Sequence, residues 1–432
     1  MIETVIKNNI LYYYGKSAEK HVKIPEGIVG IAQAAFWGHN EIVTIELPSS
    51  LETIGKFAFA ECGNLTHIRI SAKVSKIASD TFDGCSNLAY FSVDENNVNF
   101  KEQGGVLYSY DGETLIRMPI KYESDGAFAI PDGVKTVATN AFNRVKGIKR
   151  IEIPPSVESI GNKAFCYCED LQSINIGKNV KSIGYCALAN IDSLTDIAVD
   201  KDNQVYQTRD GLLYCDGGRT LVQLPSGKDV KEFEVDKEVD KILDRALTNN
   251  GYLTKILSKS DFFTAIDGVL FDKSIERLLA FPAGKRSRHY CVPDSVKILS
   301  GSSFQGARHL GQVVLGKSLT KIERHAFESS ALKSLKVNRG LKNIGWCSFA
   351  NCKLLRKIDL SDSSVEFVNG GAFSYCVSLR KISFPSTVNK LVRWTFLECN
   401  QLKKVVFSGR IEDLLFDGAS FFVTTDEFEK LY

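Results

Sequence analysis

The stretch LPSSLETIGKFAFAECGNLTHIRI, residues 47–70, contains every element of the pattern that decides the fold. It begins with Leu-Pro, continues with an apolar pair three residues apart, and has an Ala-Phe pair at its centre. Its end, LTHIRI, alternates apolar and polar residues, which is typical of a half-buried strand. The earlier SLETI predicts a second, short extended piece. The FAFAEC segment is too short for an independent helix, so we expect one turn of 3-10 or α helix there.

This pattern recurs along the chain with a period of about 23 residues. A coil of this length cannot bury its apolar face unaided, so neighbouring coils must stack into a solenoid with a continuous core. Aligned on the Phe of the Ala-Phe pair, or on its Leu equivalent, the sequence contains twelve copies. The twelve positions are Phe36, Phe59, Phe82, Phe142, Phe165, Leu188, Leu247, Phe304, Phe327, Phe349, Phe373 and Phe396.

The repeat resembles that of the BspA-like leucine-rich repeat proteins. Residues 47–70 carry the resemblance, as does IPPSVESIGNKAFCYCEDLQSINI at residues 153–176, and the similarity extends over roughly residues 22–407. The resemblance implies a leucine-rich repeat solenoid, a β-rich right-handed superhelix of about twelve coils with short helical turns. It specifies function only loosely, because such scaffolds support many binding roles.

Both ends of the solenoid should carry a cap, because an open end exposes core. We expect an N-terminal cap over residues 1–22, which contain NNILYYYG, and the solenoid over residues 23–407. The C-terminal cap then covers residues 408–432, where TTDEFEKLY predicts a short helix. Thr424 or Thr425 would cap that helix, and Phe428 and Leu431 would lie on its apolar side.

Three segments interrupt the period, near residues 98–119, 205–225 and 262–282, and they align with one another. Each predicts a β-hairpin insertion. We place the turn of the first at Asp111-Gly112 and that of the second at residues 216–218, because Asp-Gly pairs favour hairpin turns. The third copy has Lys273-Ser274 there, which leaves its turn type open. The hairpins either extend and stiffen the sheet or shape a binding surface on one face.

Six cysteines fall three residues after the repeat Phe, a column that Ala, Ser and Val fill in other copies. A position shared by these residue types favours a small, buried, reduced side chain. Two alternatives are an occasional disulfide between stacked coils and a metal or redox site. The CYC at residues 166–168 lacks a second pair at zinc-ligand spacing. The column consists of Cys62, Cys85, Cys168, Cys352, Cys376 and Cys399.

Catalytic motifs are not evident in the sequence. It contains no Walker-type phosphate loop, no HExxH and no GxSxG, and its six histidines are scattered. With 54 basic and 51 acidic residues, the net charge of +3 is too balanced to indicate a polyanion-binding protein as a whole. We therefore expect no enzymatic activity, no cofactor, no metal and no small-molecule substrate, and we consider nucleic acid an unfavoured partner.

A local basic pattern recurs near the C-terminal end, in LLRKIDL at 354–360, SLRKISF at 378–384 and QLKKVVF at 401–407. The second basic residue of each pair should point outward from its strand, so three lysines on adjacent coils form a stripe. One interpretation is that lysine at this position of the repeat only increases solubility, and that Asp359 partly neutralises the positive charge. The other is a docking surface for an acidic protein partner. The candidate partner-binding residues are Lys357, Lys381, Lys404, Arg356, Arg380 and Lys403.

These features together predict a non-enzymatic protein-protein interaction scaffold that binds through its repeat surface, and we expect a monomer. No apolar run is long enough to predict membrane insertion. The start of the chain does not resemble a secretion signal. That feature and the thiol column favour a cytoplasmic protein. The alternative, implied by the family resemblance, is a secreted or cell-surface adhesin or host-interaction protein.

Overall fold

The computed structural model describes residues 4–15, 18–388, 390–392, 394–407 and 415–417. Over these residues the chain is a β-solenoid of about seventeen turns, which form two compact units, Met1–Gly217 and Gly218–Tyr432. The predicted solenoid is thereby confirmed. The helix predicted in the tail around Thr424, Thr425, Phe428 and Leu431 lies outside the described residues. None of the described helices is long and apolar enough to cross a membrane.

The first unit contains twenty-one described strands, in the following order along the chain. They are β1 Val5–Lys7, β2 Ile10–Tyr13, β3 His21–Lys23, β4 Gly30–Ile31, β5 Thr44–Glu46, β6 Thr53–Ile54, β7 His67–Ile70, β8 Lys76–Ile77, β9 Tyr90–Val93, β10 Phe100–Gln103, β11 Val106–Ser109, β12 Thr114–Arg117, β13 Ala127–Ala129, β14 Thr136–Val137, β15 Arg150–Glu152, β16 Ser159–Ile160, β17 Ser173–Ile176, β18 Ser182–Ile183, β19 Asp196–Val199, β20 Tyr206–Arg209 and β21 Leu212–Cys215.

The second unit continues with the same kinds of strand, and a 3-10 turn, Asp216–Gly218, precedes them. They are β22 Thr220–Gln223, β23 Glu232–Val235, β24 Lys241–Ile242, β25 Lys255–Ser258, β26 Phe263–Ile266, β27 Val269–Asp272, β28 Arg277–Ala280, β29 His289–Cys291, β30 Ile298–Leu299, β31 Gln312–Val314, β32 Lys321–Ile322, β33 Ser334–Lys336, β34 Asn343–Ile344, β35 Lys357–Asp359, β36 Phe367–Val368, β37 Lys381–Phe384, β38 Lys390–Val392, β39 Lys404–Phe407 and β40 Leu415–Asp417.

Each regular coil contributes one long strand of three or four residues and one short strand, usually of two residues. Long strands pair with long strands in parallel, as β3, β5, β7 and β9 do, and short strands form a separate parallel sheet. Residues one period apart are direct partners in both sheets. Within β7 the isoleucines Ile68 and Ile70 are fully buried, whereas His67 and Arg69 point outward. The apolar alternation of LTHIRI therefore sets which face of the long strand meets the core.

The Ala-Phe segments are hydrogen-bonded turns, so the prediction of short helical turns was wrong. In all but one of the twelve copies, the residues two before and two after the repeat Phe or Leu have positive φ, for instance Phe57 at 55° and Glu61 at 58°. Helical residues all have negative φ, so a helix cannot contain this alternation of positive and negative φ. Because of the alternation, every second backbone N–H group points along the solenoid axis. The N–H of Phe59 donates to the carbonyl of Thr81 in the next coil at 3.0 Å, and that of Glu61 donates to Asp83 at 2.7 Å.

The repeat Phe side chains stack on one another from coil to coil. Phe142 and Phe165 lie with ring centroids 5.0 Å apart, and Phe304 and Phe327 lie 4.8 Å apart. All four are fully buried. Coils that contain a hairpin have no Ala-Phe turn, but they can still add a ring to the stack. The ring of Phe281 stacks on that of Phe304 with centroids 5.1 Å apart. The twelve predicted copies therefore undercounted the coils.

The hairpin at the N-terminal end packs on the first coil, and the cap over residues 1–22 stays a prediction. Strands β1 and β2 form an antiparallel hairpin, and β2 pairs in parallel with β4. Leu11 is buried, and the ring of Tyr14 stacks on Phe36 with centroids 4.8 Å apart. This hairpin replaces the coil that would otherwise precede Phe36. The exact boundaries of the two caps stay predictions.

The three insertions are three-stranded, so each contains the predicted turn between its second and third strands and an additional, tighter turn before it. The first two strands are joined at Gly104-Gly105, residues 210–211 and residues 267–268, where both turn residues have positive φ. Such pairs suit the hairpin turns whose twist matches the flanking strands. Asp111-Gly112 joins the second strand to the third. In the third insertion Asp272 closes that second connection by accepting hydrogen bonds from the N–H groups of Glu276 and Arg277.

Each insertion extends the short-strand sheet and ends a long-strand sheet. In the first unit, β12 pairs in parallel with β14, while β9 ends one long-strand sheet and β13 begins another. The turn at Gly105 packs on β9, where its carbonyl accepts a hydrogen bond from Phe91 at 2.9 Å. In the second unit, the carbonyl of Gly268 accepts a hydrogen bond from the N–H of Ile256 at 2.9 Å. These contacts favour the stiffening role, and the binding role stays a prediction.

The cysteine column is buried, and its thiols donate hydrogen bonds. Cys62 Sγ donates to the carbonyl of Phe36 at 3.1 Å, and Cys168 Sγ donates to that of Phe142 at 3.0 Å. Burial raises the pKa of the Cys62 thiol to about 12, and it has the same effect on Cys399. The sequence predicted small buried side chains here, but it did not predict the hydrogen bond. All six make it and are thiols: Cys62, Cys85, Cys168, Cys352, Cys376 and Cys399.

We predict that Phe165→Ala lowers the free energy of unfolding by about 3–5 kcal/mol, the usual effect of truncating a core aromatic residue. The ring is fully buried between neighbouring coils, so its removal leaves a cavity that the stacked backbone cannot close. Urea unfolding followed by circular dichroism measures the change. Lys178→Ala, at an exposed position, is the control and should change it by less than about 0.5 kcal/mol. A loss below about 1 kcal/mol for Phe165→Ala would contradict the stacking role.

We also predict that the six column thiols react with a thiol reagent only after unfolding. The thiolate is the reactive form. Burial hides all six groups from the reagent, and it raises the thiol pKa of Cys62 and Cys399 to about 12. Cys291 is exposed and should react in the native protein. Titration before and after denaturation measures both groups, and Cys291→Ser should remove fast reaction at that site. Disulfides between column cysteines in protein prepared without oxidant would overturn the prediction.

Candidate functional site

The three stripe lysines occupy the same position on three adjacent long strands of the second unit. Lys357, Lys381 and Lys404 begin β35, β37 and β39, and they are direct partners in the parallel register. Neighbouring strands lie about 4.8 Å apart, so the lysines form a line across the sheet. Lys357 and Lys404 are exposed, and Lys381, between them, is half-buried. The predicted alignment on one outward face is present.

The other three basic residues precede the strands and form a second line beside the first. Arg380 donates its backbone N–H to the carbonyl of Arg356 at 2.9 Å, and Lys403 donates to that of Arg380 at 3.0 Å. All three side chains are exposed. Six cationic residues therefore lie on three consecutive coils. We call this set the basic stripe: Arg356, Lys357, Arg380, Lys381, Lys403 and Lys404.

The core beneath the stripe fixes its register. Ile358, Ile382 and Val405 follow the three lysines, are direct partners in the sheet, and are buried. A slip of one residue would expose this apolar line and bury the lysines, which would be costly. The alternation of apolar and basic residues in RKID, RKIS and KKVV thus determines both the fold and the position of the charges.

One acidic side chain lies on the same strands. The ammonium of Lys357 is 3.5 Å from a carboxylate oxygen of Asp359. A hydrogen bond from the Ser361 hydroxyl, together with Lys357, lowers the pKa of Asp359. Ser383 and Val406 are the partners of Asp359 along the next two strands, so acidic residues do not continue in this column. Among these three strands, this column therefore contains an acidic residue only on β35.

The lysines one coil earlier, Lys333 and Lys336, are not in the same sheet. Lys336 ends β33, which belongs to the sheet β29–β31–β33, whereas β35 begins the next one. Ser334 occupies the position of the stripe lysines on β33. The basic stripe is therefore limited to β35, β37 and β39 among the described strands.

Another outward line lies on the first unit, at the same strand position as the stripe lysines. His21, Thr44, His67 and Tyr90 are successive partners along β3, β5, β7 and β9. His21 Nδ1 lies 2.8 Å from Thr44 Oγ1, and the rings of His67 and Tyr90 stack with centroids 5.1 Å apart. The period of 23 residues predicts that Thr44, His67 and Tyr90 share this column. His39, by contrast, is buried beside Phe36 and Tyr14, as expected of a structural histidine.

Within the described part of the chain, no group of three or more metal-ligating side chains comes together. The basic stripe contains neither a nucleophile-base pair nor a set of convergent carboxylates. Its chemistry is the attraction of negative charge over a flat surface. Such a surface suits the electrostatic recognition of a macromolecule.

The chain is similar to solved structures of several leucine-rich repeat proteins. One is a leucine-rich cell surface protein from Faecalibacterium prausnitzii, at 18% identity over 95% of this chain and 94% of that one, with a TM-score of 0.46. Another is a leucine-rich repeat protein from Eubacterium ventriosum, at 21% identity over 60% and 73%, with a TM-score of 0.43. The pneumococcal vaccine antigen PcpA has 17% identity over 95% and 86%, with a TM-score of 0.42. No curated protein sequence matches the chain.

The family profile of the BspA type leucine rich repeat region matches the sequence with six copies. The matched residues are 4–104, 123–214 and 283–403, which together make up more than two thirds of the chain. The match includes β35 and β37 of the basic stripe and ends before β39. The chain therefore belongs to the BspA-type leucine-rich repeat family.

Proposed function

We propose that this protein is a non-enzymatic binding scaffold and that the basic stripe docks an acidic protein partner. The observation that carries the proposal is the in-register line of Lys357, Lys381 and Lys404, with a second cationic line beside it. The family and its solenoid fold support a scaffold role in general, because stacked repeats present extended surfaces to partners.

The stripe has an energetic cost that folding does not require. Like charges directly opposite on neighbouring strands destabilise a sheet by up to about 1 kcal/mol per pair. A solubilising role would be served equally well by lysines spread over several faces. A partner whose carboxylates lie about 5–6 Å apart, as on one face of an acidic helix, matches the spacing of neighbouring strands. We therefore favour a partner with a line of acidic side chains.

Two versions of this function differ in where the protein is located, either in the cytoplasm or at the cell surface and outside the cell. The six column thiols support the expectation of a cytoplasmic scaffold, because disulfides are favoured in oxidising compartments. Membership of the BspA-type family supports the alternative of a secreted or cell-surface adhesin. Protease treatment of intact source cells would distinguish them. Digestion of the protein would establish the surface version, and full protection with a digested surface control would establish the cytoplasmic one.

The docking proposal is tested with poly-L-glutamate as the acidic probe. The triple variant Lys357→Glu, Lys381→Glu, Lys404→Glu should bind it about tenfold more weakly or worse, because attraction becomes repulsion. Binding by the unaltered protein should weaken with added salt, since the Debye length is only about 8 Å at physiological ionic strength. Fluorescence anisotropy of labelled probe measures both effects. Circular dichroism should show an intact fold, because exposed substitutions usually change stability by less than about 0.5 kcal/mol each.

The matched control for this experiment is Lys178→Glu, Lys201→Glu, Lys237→Glu. These lysines are exposed, lie outside the stripe, and give the same change in net charge. The proposal fails if this control weakens binding as much as the stripe variant does, or if binding ignores both salt and the stripe. Duplex DNA is the comparison probe. Tighter binding of DNA than of polyglutamate, lost in the stripe variant, would reassign the surface to nucleic acid.

A stability measurement tests whether the stripe is costly. Lys381 has a lysine partner on each side, so Lys381→Gln should raise the free energy of unfolding by a few tenths up to about 1 kcal/mol. Lys255→Gln is the contrasting control, because the Lys255 ammonium lies 3.4 Å from the Glu232 carboxylate. Urea unfolding at low salt measures both. A loss of stability at Lys381 equal to that at Lys255 would show that the stripe is stabilising and would remove the energetic argument.

A further inference from the structure

The turns that lead into the strands of the basic stripe expose apolar side chains. Leu354 lies two residues before Arg356 and is 46% exposed. On the next coil, Tyr375 and Val377 are 40% and 38% exposed. Single exposed apolar residues are common on protein surfaces and need no explanation. These three lie on two consecutive coils beside a charged surface, and we call them the apolar margin: Leu354, Tyr375 and Val377.

The apolar margin is a departure from the repeat. The residues four and five after the repeat Phe or Leu form the turn before the long strand. In eight of the twelve copies both are polar, charged or glycine, as in Gly63-Asn64. Leu354 and Val377 replace such residues on the coils that contain β35 and β37. Two departures from the repeat, one apolar and one cationic, therefore coincide on the same two coils.

The register between the two coils brings the margin residues together. The N–H of Arg380 donates to the carbonyl of Arg356 at 2.9 Å, and the strands that follow are paired in the same register. Counted back from this contact, Leu354 lies opposite Ser378, which adjoins Val377. Neighbouring coils lie about 5 Å apart, so the two aliphatic side chains occupy adjoining positions on the surface.

The margin and the basic stripe face the same side of the protein. Leu355 is fully buried between Leu354 and Arg356, and successive side chains of a segment that enters a strand alternate in direction. Leu354 and Arg356 therefore both point outward. From Leu354 to Lys357 the chain advances three residues, about 10 Å, which is close to the diameter of a helix with its side chains. One helix can therefore cover the margin and the stripe together.

The margin is narrow and ends on the third coil of the stripe. Asn400 and Gln401 occupy the turn before β39, and the Asn400 side chain donates to the carboxylate of Glu398 at 3.2 Å. Lys353, which precedes Leu354, is exposed. Polar and cationic groups therefore bound the apolar surface. A strip two coils wide suits the side of a single helix better than a broad apolar surface such as a membrane.

We propose that the partner of the basic stripe is an amphipathic helix with aliphatic side chains beside its acidic line, and that the apolar margin packs against those side chains. Exposed ion pairs contribute little affinity, because water and salt screen them and both long side chains lose freedom. Apolar surface buried next to the charges contributes affinity, and the charges supply selectivity and a fast association. The aliphatic stems of Arg356 and Arg380 lie between the two surfaces and extend the apolar one.

This inference rests on the docking function proposed above and names the class of its partner. The test uses two labelled helical peptides with glutamate at every third or fourth position, so that the acidic side chains form one line. In one peptide a leucine follows each glutamate, and in the other an alanine does. By fluorescence anisotropy, the leucine peptide should bind the full chain about tenfold more tightly, because the margin buries its side chains. The triple variant Lys357→Glu, Lys381→Glu, Lys404→Glu should weaken the binding of both peptides.

The variant that tests the margin is Leu354→Ser, Val377→Ser. It should remove the advantage of the leucine peptide and leave binding of the alanine peptide unchanged, because all the charges of the stripe remain. The matched control is Val98→Ser, Ile266→Ser, which changes two exposed aliphatic residues outside the margin and should keep the advantage. Circular dichroism should show an intact fold for both variants, because exposed substitutions usually change stability little.

Equal binding of the two peptides by the unaltered chain would overturn the inference, and this comparison does not depend on the folding of any variant. An advantage that persists in the margin variant would overturn it as well. In both cases, binding that is lost in the stripe variant would leave the docking function intact, whereas binding of neither peptide would contradict both proposals. Anionic lipid vesicles and a second copy of the chain are the comparison probes. Tighter binding of either one than of the leucine peptide, lost in the margin variant, would reassign the margin and overturn the inference.

Discussion

The contact between each repeat Phe and its counterpart one coil away is the constraint on which the rest of the structure depends. Phe327 and Phe349 lie nearly parallel with centroids 5.1 Å apart, and both are fully buried. This spacing is close to the distance between neighbouring strands of a sheet. The aromatic stack and the backbone ladders therefore share one axial repeat, and neither can shift without disrupting the other. The register of the stacked coils therefore also fixes the position of every outward-facing residue.

The sequence specified the repeat well because its signals are local and periodic. The apolar positions of LTHIRI and the recurring Ala-Phe pair were sufficient to predict the solenoid, the buried thiol column and the line of Lys357, Lys381 and Lys404. Each of these features depends only on which residues stand one period apart. A single copy would have been ambiguous between a strand and part of a helix. Stacking requires each copy to present the same face, and that requirement removes the ambiguity.

The errors concern interactions that the period does not encode. FAFAEC has helix-compatible residues, yet Phe57 and Glu61 adopt positive φ because their turn donates hydrogen bonds to the next coil. Positive φ is unfavourable for a bulky residue taken alone. The neighbouring coil therefore overrides the local preference, and a local pattern cannot show that. The hydrogen bond from Cys62 to the Phe36 carbonyl was missed for a related reason, since residue size alone accounted for the column.

The hairpin coils show how one fold accommodates different local solutions. Each insertion removes an Ala-Phe turn and leaves a space between two remaining turns, and that space is filled by whatever side chain ends the third strand. Arg117 fills it with a guanidinium that is paired with Asp83. Ala280 leaves a cavity instead, beside charged residues that reach across from neighbouring coils. Alignment of the three segments predicted hairpins with a common fold. It could not show the consequence of having Arg117 in one hairpin and Ala280 in another, because that consequence depends on the turns packed beside them.

The same register explains why the surface of this protein is organised in lines. In a globular domain, two lysines 23 residues apart have no fixed relation, whereas here they are direct neighbours across a sheet. A preference for one residue type at one position of the repeat therefore becomes a continuous feature along several coils. The buried Ile358, Ile382 and Val405 hold the charges of the basic stripe at fixed spacing, so the protein cannot relieve their repulsion by slipping its strands. Relief has to come from a nearby acid, as Asp359 provides for Lys357, or from a partner that supplies the negative charge.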